Sequence, residues 1–253
     1  MIASLLDWFL DPANWSGEDG IPARLFEHLW YSALAVGLGL VVALPLGLWV
    51  GHSGRGRWVV SVANSARAVP TLGLLFAVAL WVGPAFRGDL AYLVPSTLVL
   101  VLLALPPLLA GTYAGVEAVD PAARDAAQGV GMTGWQVLRQ VELPCALPLL
   151  LSGVRTAVLQ VVATTTIAAL IGLGGLGRYL IDGIALGDYP RAAGGALLVA
   201  LLAVVLEGML ALLQRKVVSP GLSGRAVGRS RNDDDAGTGK ETAQEPVDLR
   251  APA

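Results

Sequence analysis

The chain carries one long polar stretch between apolar runs, DPAARDAAQGVGMTGWQVLRQVELPCALP at residues 120–148. Asp120 and Pro121 together predict the start of a helix. An aspartate side chain caps free N–H groups of the first turn, and the missing N–H of proline costs nothing at the first helical position. Gly129 and Gly131 predict the end of this helix, because glycine disfavours a helix interior.

A second helix is predicted directly afterwards. Thr133 and Gln136 have the spacing of a capping box, in which two side chains satisfy backbone N–H groups reciprocally. Pro144 and Pro148 mark the start of the next apolar run. The stretch is therefore predicted to be a helix–turn–helix between two membrane segments, and we call residues 120–144 the elbow. A short capped helix at a membrane surface has the shape of a docking lever. The alternative is an ordinary cytoplasmic loop that is helical.

The residue spacing within the elbow resembles a known motif. Asp125-Ala126-Ala127 is followed by three residues, Gly131, nine residues and Val141-Glu142-Leu143-Pro144. This arrangement resembles the EAA loop of ABC-importer inner-membrane permeases, in which Glu-Ala-Ala precedes a glycine and then Ile-x-Leu-Pro at the same spacings. Asp125 stands in place of the glutamate, and Val141 stands in place of the isoleucine.

The resemblance implies a partner for the elbow, because the loop of that family docks into a cleft on a cytoplasmic ATPase subunit. The residues implied for ATPase coupling are Asp125, Ala126, Ala127, Gly131, Met132, Thr133, Leu143 and Pro144. An extracytoplasmic substrate-binding protein is implied as a further partner. No cofactor is expected on this chain, since ATP and Mg²⁺ are expected on the partner ATPase.

The composition indicates a membrane protein without catalytic chemistry. Of 253 residues, 55% are hydrophobic and 14% are charged, which is too apolar for a soluble domain. The net charge of −2 indicates no nucleic-acid partner. Cys145 is the single cysteine, and no His/Cys cluster, GxSxG or GxxxxGK[ST] motif is present. We predict a transport subunit with no catalytic residues and no metal site. His28 and His52 are predicted to lie at membrane edges.

Five apolar runs are long enough to cross a bilayer, which requires about 20 residues. They cover residues 29–50, 58–82, 93–115, 146–171 and 192–213. We predict an all-α membrane protein with five transmembrane helices, and the resemblance implies the methionine-importer-permease type. The predicted organisation is an external or interfacial segment at 1–28, a permease domain at 29–213 and a disordered cytoplasmic tail at 214–253. Ile2–Leu10 is too short to span and is predicted to lie in the interface.

Positive charges predict the orientation, because short cytoplasmic loops are enriched in lysine and arginine. The basic residues on one side of a five-span chain are Arg55, Arg57, Arg124, Arg139, Arg215 and Lys216. The other side holds an acidic amino terminus and isolated arginines. The amino terminus is therefore predicted outside, with the elbow and the tail in the cytoplasm. The resemblance implies that the spans lie in the inner (plasma) membrane of a bacterial cell.

A charge within a membrane span is costly and usually functional, and we single out Arg67 and Glu207 among the charges in the predicted spans. Arg67 lies about 14 Å along the second span at 1.5 Å per residue. Glu207 lies at a similar distance from the cytoplasmic end of the fifth span. Our hypothesis is that these two side chains are at one depth and pair. The alternative is that Arg67 extends to the interface while Glu207 faces the cytoplasmic lumen.

Polar residues near these charges are candidates for the transport pathway. Pro70 predicts a kink within the second span, and irregular backbone at membrane depth is tolerated where it lines a cavity. The pathway candidates are Asn64, Arg67, Pro70, Thr71, Gln160, Thr164 and Glu207. For the segment 64–71 the alternative is a kinked packing helix. For the threonines at 164–166 the alternative is a hydrogen bond to the preceding turn or to another helix.

A second resemblance concerns the substrate. Residues 163–190, ATTTIAALIGLGGLGRYLIDGIALGDYP, are similar to permeases that import glycine betaine, carnitine, choline and proline, as are ARAVPTLGLL at 66–75 and LPCALPLLLSGVRTAV at 143–158. A permease for such compatible solutes is therefore predicted, with a second copy or a paralogue because five helices are too few to enclose a pathway. No aromatic cage is recognised in the spans, so selectivity is expected in the binding protein. The alternatives are a permease of a methionine-type amino-acid importer and a secondary transporter.

Overall fold

A computed structural model describes residues 2–218, and the regular structure in that range is helical. The helices are α1 (Ile2–Leu10), α2 (Ile21–Ser53), α3 (Arg57–Ser65), α4 (Thr71–Val82), α5 (Leu90–Glu117), α6 (Pro121–Gly129), α7 (Gly134–Val137), α8 (Leu143–Ala168), α9 (Gly177–Leu186) and α10 (Tyr189–Val217). A π-helical turn at Leu138–Glu142 joins α7 to α8. Short 3₁₀ turns cover Pro12–Trp15, Ala66–Ala68, Gly83–Ala85 and Ala169–Ile171.

Four of these helical stretches are long and apolar enough to cross a membrane. They are α2, α5, the stretch Gly134–Ile171 that contains α8, and α10. The pair Arg57–Ala68 and Thr71–Ala85 passes the same test together, although its halves are bent by 95°. Counting the bent pair as one span gives five, which confirms the predicted all-helical five-span fold. Helices suit this environment because they satisfy their backbone polar groups internally.

The predicted boundaries differ from the helices at both ends of the chain. The first long helix begins at Ile21, so residues 21–28 belong to it and not to a separate amino-terminal segment. The last helix continues through Val217, beyond the predicted end at Leu213. An apolar run misses such ends because helices continue with polar residues into the headgroup region. The rest of the predicted tail, from residue 219 onward, lies outside the described range.

Helix α5 is the centre of the bundle and packs against both α2 and α8. The shared core contains Val36 and Ala43 of α2, Leu108 of α5 and Val161 of α8. A Cβ added to Gly153 of α8 would lie 2.6 Å from the carbonyl oxygen of Pro107 in α5. Only glycine permits this close approach, which is the usual way in which membrane helices gain packing contact.

The end of the bundle opposite to the elbow is closed by α1, which covers the segment predicted to lie in the interface, and by α9. Trp8 of α1 packs edge-on against Tyr179 of α9, with 5.4 Å between the ring centroids. Burial raises the pKa of the Tyr179 hydroxyl, which donates a hydrogen bond to the carbonyl of Asp19. His28, which was predicted to lie at a membrane edge, is fully buried within the bundle, and its Nε2 lies 3.1 Å from the Val162 carbonyl oxygen.

Candidate coupling surface and intramembrane charges

Both predicted helix starts of the elbow are present. Oδ1 of Asp120 accepts a hydrogen bond from the N–H of Ala122 at 2.9 Å, and Pro121 occupies the first turn of α6. The N–H of Thr133 donates to Oε1 of Gln136 at 2.7 Å, as a capping box requires. The two short helices therefore have fixed starting points, each cap being worth about 1 kcal/mol.

Gly131 forms the turn between the two helices of the elbow. Its φ is +89°, in the left-handed region that glycine adopts without strain. No heavy atom lies within 4 Å of the position that a Cβ would occupy. The N–H of Met132 closes the turn by donating to the carbonyl of Ala127 at 3.1 Å. The turn is therefore both defined in conformation and open to a partner.

The predicted coupling residues differ in exposure. The exposed ones are Asp125, Ala126, Gly131, Thr133 and Pro144. Ala127 is buried, whereas Met132 and Leu143 are half-buried. Two apolar side chains that sequence reasoning did not single out, Val130 and Trp135, are 78% and 69% exposed on the same elbow. The sequence feature that could have pointed to these two residues is their apolar type within a polar stretch.

A buried carboxylate that sequence reasoning missed joins the elbow to the bundle. Glu142 is 1% exposed, and its Oε2 lies 2.7 Å from Nδ1 of His52 at the end of α2. Its Oε1 lies 2.9 Å from Nε of Arg124 in α6, a charge contact without the alignment of a hydrogen bond. Arg124 also donates to the carbonyl of Val116 in α5. We call Glu142, Arg124 and His52 the elbow clamp.

The elbow clamp ties α6 and the π-helical turn to the ends of two membrane helices. A buried carboxylate is costly unless it is paired, so its partners are held in place with it. The prediction that His52 is simply interfacial is therefore incomplete, since its ring binds Glu142. The available signal was the charge of Glu142 between Val141 and Leu143.

The second elbow helix continues into the fourth span without a break. Helix Gly134–Ile171 includes the π-helical turn Leu138–Glu142. Pro144 has no N–H to donate to the carbonyl of Gln140. The π-helical turn, which is wider than an α-helical turn, ends two residues before this proline. Such turns are frequent at functional sites. Helices α7 and α8 are therefore joined in one continuous helical stretch.

The second predicted span is broken close to Arg67. The sequence predicted a kink at Pro70, and the structure has a 95° bend between the two halves. Arg67 lies exposed in the 3₁₀ turn at this bend and forms no ion pair with other residues of the range 2–218. Asn64 and Pro70 are also exposed, and Thr71 begins α4 half-buried.

The hypothesis that Arg67 pairs with Glu207 is wrong, because Glu207 of α10 pairs with Arg155 of α8. Arg67 is exposed in the turn just before the bend, whereas Arg155 of the neighbouring α8 lies within reach of Glu207. About a third of each paired side chain is exposed, and Oε2 of Glu207 is buried without a hydrogen-bond partner. Sequence reasoning did not single out Arg155, although a basic residue within the fourth apolar run was a clear signal.

The threonines of α8 make both kinds of contact that the sequence allowed. Oγ1 of Thr164 donates to the carbonyl of Gln160 at 2.8 Å, which satisfies it within its own helix. Oγ1 of Thr165 donates to the carbonyl of Val161 at 2.9 Å and lies 3.3 Å from Oγ of Ser32 in α2. A pathway role for Gln160 and Thr164 stays a prediction. Across the described range no group of three or more His, Cys, Asp or Glu side chains could hold a metal ion.

A bundle of membrane helices with a capped, exposed elbow is the arrangement expected from the resemblance to transport permeases. Residues 36–219 match the family described as binding-protein-dependent transport system inner membrane component. The chain belongs to this family. It is an inner-membrane transport subunit rather than an enzyme, and such a transport system implies an ATPase and a substrate-binding protein as partners. The predicted class, an ABC-importer permease, is therefore confirmed.

Two curated relatives cover most of the chain. The glycine betaine/carnitine/choline transport system permease protein OpuCB of Bacillus subtilis is 36% identical over 201 residues, which is 78% of this chain and 88% of that protein. The osmoprotectant import permease protein OsmW of Salmonella typhimurium is 37% identical over 220 residues, which is 86% of this chain and 98% of that protein.

A solved structure shows the same fold. The MetNI methionine ABC transporter in an inward-facing conformation matches with a TM-score of 0.65 at 23% identity, over 77% of this chain and 94% of that chain. At this identity the likeness extends to the fold alone.

Proposed function

We propose that this chain imports quaternary-ammonium osmoprotectants such as glycine betaine, choline and carnitine, as the permease subunit of an ATP-driven importer. The observation that carries the proposal is the 36% identity to a permease named for glycine betaine, carnitine and choline transport. The second relative, named for osmoprotectant import, agrees with it. Proline belongs to the same group of compatible solutes and is a further candidate.

The ATPase contacts the exposed side of the elbow in this proposal. The exposed coupling residues Asp125, Ala126 and Thr133 surround the open turn at Gly131. Trp135 adds an exposed apolar surface, and such surfaces mark protein contacts. ATP and Mg²⁺ are bound by the ATPase and not by this chain.

ATP drives transport by shifting an equilibrium between two arrangements of the permease. ATP binding closes the ATPase pair and moves the elbow, and the spans re-pack so that the cavity faces the loaded binding protein. Such a shift requires contacts that differ between the two states. The elbow clamp and the continuous helix from α7 into α8 support this route, because both connect the elbow directly to membrane helices.

A second permease subunit, either a copy or a paralogue, completes the pathway. Four to five candidate spans are too few to enclose one. Helix α10 packs on α8 and α9, but Leu201, Val204 and Met209 are exposed, which leaves one apolar face of this helix for lipid or a second subunit. The polar residues at the bend of the second span, with Arg67 and Asn64 exposed, are assigned to the pathway between the two subunits.

The amino terminus lies outside and the elbow lies in the cytoplasm in this proposal. Arg55 and Arg57 follow α2, and Arg139 lies in the π-helical turn of the elbow. Arg215 and Lys216 lie in the last turn of α10, where Gln214 contacts the start of α8 beside the elbow. An excess of positive charge in short loops marks the cytoplasmic side.

The test is uptake of labelled glycine betaine by vesicles that contain this chain, its ATPase and its binding protein. Unlabelled choline, carnitine, proline and methionine serve as competitors. We expect saturable uptake that requires ATP and is inhibited by the quaternary-ammonium compounds. Inhibition by methionine alone would favour the amino-acid importer to which the fold is related. Uptake driven by an ion gradient without ATPase would favour a secondary transporter.

A further inference from the structure

A cavity of about 490 Å³ opens at the end of the bundle opposite to the elbow. Its walls are the first part of α2, the start of α5, the glycine-rich segment 172–174 and Arg178 of α9. The size is within the range of small-molecule sites, about 300–1,000 Å³. Two arginines, two carboxylates and two tyrosines line it: Arg24, Arg178, Glu27, Asp89, Tyr31 and Tyr92.

The two arginines of this cavity are already neutralised by carboxylates of the chain. Arg24 forms ion pairs with Asp19 and with Glu27, the latter at 2.8 Å. Arg178 forms an ion pair with Asp182 at 2.9 Å. Glu27 is fully engaged, because its Oε2 also accepts a hydrogen bond from the N–H of Gly175 at 2.8 Å. None of these groups is therefore free to attract a ligand of the opposite charge.

The groups that stay free are Asp89 and the two tyrosines. Within residues 2–218 the Asp89 carboxylate forms no ion pair and does not cap α5, and it is exposed. The ring of Tyr92 is half exposed and packs on Gly172, where a Cβ would lie 2.9 Å from the ring. Tyr31 is held by packing against the core that contains Leu75. The free chemistry is one negative charge beside two positioned aromatic rings.

We propose that this cavity is a permease-side site for a quaternary ammonium group, with Tyr31, Tyr92 and Asp89 as its binding residues. A cation is attracted to the face of an aromatic ring, and the attraction strengthens as the cation loses water. A neighbouring carboxylate adds a charge contact that an ammonium with no N–H can still use. This inference rests on the proposed function. It adds a recognition step in the permease itself, whereas the sequence alone led us to expect selectivity in the binding protein.

The direct test is binding of labelled choline to the purified permease–ATPase complex without the binding protein, by scintillation proximity. Tyr92→Ala and Asp89→Asn are expected to weaken binding roughly 3- to 30-fold, the range of one cation–π contact. Tyr92→Phe keeps the ring and is expected to bind as the unaltered complex does, which separates recognition from misfolding. Uncharged 3,3-dimethylbutanol, which has the shape of choline, is expected not to compete.

Two matched variants serve as controls for residue type. Tyr189→Ala removes an exposed tyrosine, and Asp7→Asn removes an exposed carboxylate, neither of which lines the cavity. Both are expected to bind choline normally. Equal binding by Tyr92→Ala, Asp89→Asn and the controls would overturn the site, as would competition by 3,3-dimethylbutanol or absence of choline binding.

The same preparations separate this inference from the proposed function. ATP-dependent choline uptake with the binding protein present, together with unaltered binding by the cavity variants, would overturn the site and leave the function standing. Tyr92-dependent choline binding without uptake of any osmoprotectant would support the site and overturn the function.

Discussion

Oε2 of Glu142 lies 2.7 Å from Nδ1 of His52, a contact between residues 90 positions apart in the chain. Oε1 of the same carboxylate faces Nε of Arg124 at 2.9 Å. The end of α2, the first elbow helix and the turn that leads into α8 therefore share one buried charge. The elbow is therefore tied to two membrane helices through this carboxylate.

Replacing the buried carboxylate should uncouple the elbow from the bundle. Glu142→Gln leaves Arg124 and His52 without their charged partner, and we expect a loss of about 1–3 kcal/mol in stability. ATP-driven uptake should fall further than the amount of assembled complex does. The measurements are thermal unfolding of the purified complex and uptake per complex.

Glu117→Gln is the matched control for that substitution. Glu117 pairs with Arg57 at 3.0 Å, but its side chain is 44% exposed, so the pair is worth about 0–1 kcal/mol. The control should retain uptake and stability. Equal effects of the two substitutions would mean that the buried clamp has no special role.

The open turn at Gly131 should be essential for ATPase docking. Gly131→Asp places a charged side chain where φ is +89°, on a surface with no neighbouring atoms. We expect a backbone cost of about 1–2 kcal/mol and loss of co-purifying ATPase, while the membrane helices stay folded. The measurement is the ratio of ATPase to permease after affinity purification.

Gly17→Asp is the control, because Gly17 has φ of +81° and equally open surroundings at the other end of the bundle. The Gly17→Asp variant should have a similar backbone cost but should still co-purify with the ATPase at the normal ratio. ATPase binding at the normal ratio by Gly131→Asp would contradict the assignment of the elbow.

The ion pair between Arg155 and Glu207 should behave as a unit within the membrane. Arg155→Met leaves the Glu207 carboxylate unpaired among membrane helices, and Glu207→Gln leaves the Arg155 guanidinium without its carboxylate partner. We expect each variant to lose about 2–3 kcal/mol in stability. The double variant should be close to the unaltered protein in stability, because replacing both partners of such a pair is often nearly neutral. A thermal-unfolding double-mutant cycle measures the coupling, and strictly additive losses would show that the two residues act separately.

The lone cysteine offers a test of orientation. Cys145 is exposed at the start of α8, beside the elbow. A membrane-impermeant maleimide should label it in inside-out vesicles that lack the ATPase and not in intact cells. Asp7→Cys in a Cys145→Ala background should show the opposite pattern. Labelling of Cys145 from outside would place the elbow on the wrong side for an ATPase.

Much of the fold follows from local rules and was predicted from the sequence. An apolar run of sufficient length must form a helix in a bilayer, because the backbone has no other partner there. The two elbow starts depend on contacts within three residues, such as the bond from Thr133 to Gln136. The need for glycine at residue 131 is likewise local, since a tight turn requires a positive φ.

Pairing between distant residues was decided by the tertiary structure. The sequence suggested that Arg67 and Glu207 meet at one depth, but Arg67 is exposed beside the bend, and the neighbouring α8 supplies Arg155 to Glu207. In the same way, His28 was buried by contact with α8, and His52 was bound by Glu142. The sequence by itself determined which stretches are helical and where the two elbow helices start and turn. Which charges meet depends on how those helices bend and pack, because that is what brings side chains from separate elements within a few ångströms of one another.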